Sequence, residues 1–220
     1  IKLVKLEPQN CRDLQNKLND KFKTRTVNDA MSLLKKCMQT AVNEDVIDKN
    51  PCRTIERIPR TEPKVRDTIH RYISRKEYDA FMGKAKDSPY YNLYEFLYYT
   101  GLRIGEASAL TIADVIGNDV SVSKTVIRSQ DGYMVAGWTK TEAGCRVVPI
   151  HPKAKEAIER QMKINALIDG GNVVSMNKPV FRLPKGGIIR PDRVNTDIKK
   201  YCEQANLEKF TCHAFRSTFI

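Results

Sequence analysis

Apolar residues recur at helical spacing along most of this 220-residue chain and switch to short alternating runs only across residues 119–150. Residues 9–22 are predicted to be a helix, with Leu14, Leu18 and Phe22 four apart on one side. A second helix is predicted behind Thr26, with Asp29 completing a variant capping box. Its stripe is Val27, Ala30, Leu34, Cys37, Met38, Ala41 and Val42, and Lys35 and Lys36 lie off it. Asn43-Glu44-Asp45 ends this helix and Asn50-Pro51 closes the unit, because proline disfavours helix in the residue before it. Two helices with one apolar face each do not complete a core, so this piece is expected to be the C-terminal part of a small helical domain that begins upstream.

Residues 56–68 are charged, carry Pro59 and Pro63, and have few large apolar side chains, a linker composition. A second unit is expected to open with Ser74 capping a helix and Glu77 reaching back, Tyr78, Phe81 and Met82 being its apolar side. Tyr90–Thr100 is rich in aromatic residues, which suits either a platform for stacked bases or a buried helix. The run continues into Thr100-Gly101 without a loop signal, which favours the buried helix. Gly101 breaks it, and Leu102–Leu110 reads as a new helix. Val120, Val122, Val126 and Ile127, then Tyr133–Ala136, then Cys145–Ile150 read as strands of a small antiparallel meander. Helices follow from Pro152 to about Leu167, over Pro191–Gln204, and from near Thr211, the last carrying His213 and Arg216 three apart. The fold class predicted is mainly α with a small antiparallel β-sheet (α+β), in two domains.

Charge narrows the partners. The net charge is +12, and it is shared: residues 1–68 hold 15 Lys and Arg against 10 Asp and Glu, and residues 69–220 hold 23 against 16. A basic surface across two domains favours polyanions, nucleic acid before acidic membrane. Lys23, Arg25, Lys35 and Lys36 are candidate DNA contacts in the first unit, and Arg146 and Arg193 in the second. The cysteines at 11, 37, 52, 145, 202 and 212 form no C-x-x-C pair and no metal spacing with His70, His151 or His213. Scattered thiols fit a reducing cytosol, and neither a metal nor another cofactor is expected. No apolar run approaches the ~20 residues of a membrane span, and the start is not signal-like. The first residue is Ile, which suggests a domain boundary.

Three places carry candidate chemistry. Arg103 follows a glycine in the first turn of a helix with Glu106 three residues on, a spacing that lets the carboxylate brace the guanidinium. Taken alone, such a pair is more often an ordinary surface ion pair. His213 beside Arg216 can hold a phosphate oxygen and move a proton near neutral pH, although a lone histidine is more often structural. Lys140 lies near an expected hairpin tip, where it could protonate a leaving oxygen or simply solubilise a turn.

Together, Thr100–Glu106 with Ala109-Leu110, Lys140-Thr141 with Arg146-Val147-Val148-Pro149-Ile150, and His213-x-x-Arg216 with Thr218-Phe219 resemble the tyrosine recombinase (phage integrase) family, with the flavour of phage and conjugative-transposon integrases. Ala41–Pro51 also resembles the end of that family's core-binding domain. The resemblance implies that residues 1–58 are part of a helical DNA-binding domain, 59–68 a linker and 69–220 a catalytic domain. It implies attack by a tyrosine on a scissile phosphate of double-stranded DNA at an attachment site, a 3′-phosphotyrosyl link, and no metal or ATP. Arg103 and Arg216 would bind the non-bridging oxygens, Lys140 would protonate the leaving 5′-oxygen, His213 would assist proton transfer, and Glu106 would orient Arg103. Partners would be DNA and other recombinase subunits, in the cytoplasm of a bacterial host. The family's nucleophile follows its His-x-x-Arg motif, whereas all nine tyrosines here precede Arg216. The chain is therefore expected to be truncated before the attacker and unable to cleave. A non-cleaving DNA-binding regulator and a type IB topoisomerase relative remain as alternatives.

Overall fold

A computed structural model describes residues 3–59, 71–137, 145–170, 175–183 and 185–219. The chain divides into two units, Ile1–Asp67 and Thr68–Ile220.

In the first unit, α1 (Pro8–Asn19) opens with proline in its first turn, where the missing N–H is not needed. The next helix, α2 (Thr24–Asn43), begins two residues before the predicted cap, so Thr26 lies inside it and Lys23 occupies the cap position without a side-chain bond. Asp29 is drawn instead into ion pairs with Arg25 and Arg57. The buried apolar side chains among the described residues are Cys11, Val27, Met31, Met38 and Cys52. This corrects the predicted stripes: Leu14 and Phe22 are exposed, and the inward row of α2 runs through Met31 rather than Ala30 and Cys37. The shift follows from the partner surface, which is the returning segment 50–58 as well as α1. Asn28 clasps that segment, donating to the carbonyl of Ile58 at 3.0 Å and accepting its N–H at 2.9 Å. Asp45, at φ 55°, ends α2 in the left-handed conformation, and the Val46 N–H closes the helix onto Ala41 at 2.9 Å. The sulfur atoms of Cys11 and Cys52 lie 3.0 Å apart, and burial, reinforced by that contact, pushes the Cys52 thiol up to about 12.

In the second unit, α3 (Arg75–Lys84) has the predicted capping box of Ser74 and Glu77. It leads to α4 (Tyr91–Thr100), whose Leu93, Tyr94, Phe96 and Leu97 are fully buried. The aromatic run is a core helix: the ring of Phe81 packs on Tyr94, Phe210 and Phe215, and the Tyr94 hydroxyl donates to Asp197 at 2.7 Å. After α5 (Ile104–Ala109) come β1 (Val115–Ile116), β2 (Asp119–Val122), β3 (Lys124–Ser129), β4 (Gly132–Gly137) and β5 (Arg146–Pro149). The predicted single meander is replaced by two antiparallel sheets. One has the order β1-β2-β5 with Val120 opposite Val148, and the other is the β3-β4 hairpin with Val126 opposite Val135. The chain leaves the first sheet at Ser123, so Val120 and Val122 face the helical core while β3 serves as a floor for α5. The last helices are α6 (Pro152–Ile168), α7 (Pro191–Gln204) and α8 (Cys212–Phe219). Among the described residues, no helix is long and apolar enough to cross a membrane.

Candidate functional site

The site grows from the break between α4 and α5. Gly101 adopts φ 61° and returns its N–H to Leu97 at 3.0 Å, which ends α4 as a left-handed cap. A β-carbon there would stand 2.6 Å from the Phe219 ring, so the bare backbone is also what lets α8 approach. Leu102 is buried and pins the turn, leaving Arg103 in extended conformation at the start of α5. At Gly105, a β-carbon would meet the Thr125 hydroxyl at 2.6 Å, so α5 lies flush on β3.

Glu106 is the centre of the arrangement. Its side chain is 1% exposed, against 61% for Arg103 and 30% for Arg146. The Arg103 backbone N–H donates to Oε2 and its Nη1 to Oε1, both at 3.0 Å. From β5, Arg146 donates Nη1 to Oε1 at 3.2 Å and Nη2 to Oε2 at 2.8 Å. Burial by itself would raise the Glu106 carboxyl, but the bonds from Arg146 and Arg103 outweigh it and hold the pKa below the usual carboxylate value.

The second arginine arrives on α8. That helix is fixed at its start by Asn195, whose Oδ1 accepts the Cys212 N–H at 2.9 Å, and near its end by Thr218, whose hydroxyl accepts the Ile73 N–H at 2.8 Å. Arg216 then donates Nη1 to the carbonyl of Gly101 at 2.6 Å. Burial and the neighbouring charges of Arg103 and Arg146 lower its pKa, with Glu106 acting the other way. Segments more than a hundred residues apart in sequence are thus joined: two guanidiniums bind the Glu106 carboxylate, and a third, on Arg216, feels its charge. His213 is exposed one helical turn before Arg216. Its neighbour Cys212 is buried, with the thiol pushed up to about 12 by burial.

Lys140 falls outside the described residues. Arg193 is in the first turn of α7, where its charge acts on Tyr90. Lys23, Arg25, Lys35 and Lys36 are exposed in the first unit, but Arg25 leans toward Asp29 and Lys35 donates its ammonium to the carbonyl of Arg53 at 2.8 Å. Among the described residues, no three His, Cys, Asp or Glu side chains gather as a metal site. Sequence reasoning missed the Arg146–Glu106 fork, because forty positions separate the two and no local period links them. It also missed the close approach of Phe219 to Gly101, for which the glycine itself was the available signal.

A cluster of cationic side chains on an α+β scaffold is thereby defined. The chain belongs to the phage integrase family, whose model matches residues 71–220. It is 28% identical over 206 residues to the ICEBs1 integrase of Bacillus subtilis strain 168, covering 89% of this chain and 53% of that protein. It is 27% identical over 208 residues to tyrosine recombinase XerC of Thermodesulfovibrio yellowstonii, covering 92% and 63%. The chain therefore spans between half and two thirds of these relatives. Among solved structures, the Tn1549 transposon integrase in complex with circular intermediate DNA shares the fold at a TM-score of 0.73 and 20% identity, covering 100% of this chain and 73% of that one. A lambda integrase dimer bound to a COC′ core site does so at 0.69 and 16%, covering 100% and 71%.

Proposed function

We propose that this chain is the phosphate-binding part of a site-specific DNA recombinase, an integrase that cleaves and rejoins strands of duplex DNA through a 3′-phosphotyrosyl intermediate. The observation that carries the reading is the bond from Arg216 to the carbonyl of Gly101, two residues from Arg103, which gathers two distant guanidiniums around one place. In this reading Arg103 and Arg216 hold the two non-bridging oxygens of the scissile phosphate, where the planar fork of arginine fits. Charge grows there toward the transition state, and a lost donor at such a position typically costs about 3–4 kcal/mol. His213, exposed beside Arg216, assists proton transfer, and Lys140 protonates the leaving 5′-oxygen. Because the covalent link conserves the phosphodiester, the reaction needs no ATP. Residues 69–220 are then the catalytic domain, residues 1–58 part of a helical DNA-binding domain, and residues 59–68 the linker. Partners are attachment-site duplexes and further recombinase subunits, met in the host cytoplasm.

All nine tyrosines of these 220 residues precede Arg216, and this reading assigns the attack to none of them. The chain is expected to bind duplex DNA. The test uses a protein in which this sequence continues to a tyrosine beyond Arg216, incubated with a nicked attachment site. A covalent protein–DNA adduct is expected, formed about a hundredfold or more slowly with Arg103→Lys, which keeps the charge and loses the fork. No adduct at all, or an Arg103→Lys rate equal to the parent's, refutes the assignment. Tight binding without an adduct would instead favour a non-cleaving regulator.

A further inference from the structure

Glu106 has a second arginine partner, Arg146, that the catalytic reading does not use. Glu106 is almost fully buried and touches both Arg103 and Arg146. Arg146 gives it two bonds in a fork, one to each oxygen, and keeps only 30% of its side chain exposed. Arg103 gives it a single guanidinium nitrogen and remains 61% exposed. One carboxylate can neutralise one guanidinium. Were Arg146 absent, the whole charge of Glu106, a carboxylate held out of water, would act on Arg103, an attraction stronger than in bulk solvent. Its fork would fold inward over the carboxylate, and less of it would face an incoming anion.

We propose that Arg146 is a positioning residue: it satisfies the buried Glu106 carboxylate, so that Glu106 orients Arg103 with one bond while most of the Arg103 guanidinium stays available for DNA phosphate. This assigns Arg146 a role within the protein rather than a phosphate contact of its own, and it rests on the phosphate-site reading above.

The two roles separate in a binding assay with the 220-residue chain and a short nicked duplex of arbitrary sequence, followed by fluorescence anisotropy over a range of salt. Arg146→Met is expected to weaken binding about tenfold, the scale of a charge-assisted bond. Adding Glu106→Gln removes the unbalanced charge, and the double variant is expected to return to within about threefold of the parent with the parent's salt slope. In an Arg103→Ala background, Arg146→Met is expected to cost nothing further. A double variant as weak as Arg146→Met, with a salt slope shallower by about 0.9, would mean that Arg146 grips a phosphate itself and would overturn the proposal. Recovery of the melting temperature without recovery of affinity would also overturn it, leaving a purely structural role. Should Arg146→Met alone fail to fold, the double variant, which buries no unpaired charge, carries the same comparison. If Arg103→Ala and Arg216→Ala bind as tightly as the parent, the phosphate-site reading falls and this inference with it. If they lose affinity and the rescue fails, this inference alone falls.

Discussion

Glu106 shows how one side chain is set by opposing effects. Burial favours its neutral form, and the two arginines together with the Arg103 N–H favour its charged form more strongly. The folded pKa therefore lies below the ordinary value of 4.5, so the carboxylate stabilises the fold fully above that pH and progressively less as pH falls through the lower, folded value. Glu106→Gln is expected to cost about 2–3 kcal/mol near neutral pH, the scale of hydrogen bonds to charged groups. Melting curves of parent and variant should converge as the buffer is taken below pH 4.5; a gap independent of pH would mean that the ionised carboxylate is not the source. The spacing of Arg103 and Glu106 was readable in the sequence, since three positions on a helix bring side chains together. The fork of Arg146 was not, because only the pairing of strands and helices places it there.

Among the elements, the α4–α5 break and α8 act as one piece. The positive φ of Gly101 and its contact with Phe219 are two separate demands on the same residue. Gly117 makes a useful comparison, with φ 63° and open space around its would-be β-carbon. Gly117→Ala is expected to cost about 1 kcal/mol from backbone conformation alone, whereas Gly101→Ala adds displacement of Phe219 and should cost clearly more, about 2–4 kcal/mol. Denaturant unfolding of the two variants decides this, and equal losses would mean that the packing of α8 on Gly101 contributes little. Strong local signals were legible at this scale: Pro191 and the period behind it marked α7 to the residue, and Ser74 with Glu77 marked the start of α3. The weaker pattern of Leu14, Leu18 and Phe22 misled, because its apolar positions did not show which neighbour the helix meets.

For the molecule as a whole, the proposed function makes the +12 charge spread over both units the source of its grip on DNA. Each phosphate contact contributes about −0.9 to the slope of log K against log salt. Lys23→Gln with Lys36→Gln is expected to make that slope shallower by roughly two, since both side chains are exposed. Lys35→Gln should change it less, because that ammonium is already held by the Arg53 carbonyl. Titration of a DNA duplex at several salt concentrations measures both, and an unchanged slope for the first pair would remove the first unit's helices from the footprint.

By itself the sequence determined what local chemistry and periodicity can determine: the helices with clear caps, the glycine break, the basic balance, and the motif residues Arg103, Glu106, His213 and Arg216. Tertiary structure decided which of those residues meet. Arg216 reaches Gly101 and Arg146 reaches Glu106 only after the chain has closed long loops, and β5 joins β2 rather than following the hairpin. Such contacts depend on the shape and burial of the assembled core, which no local period encodes.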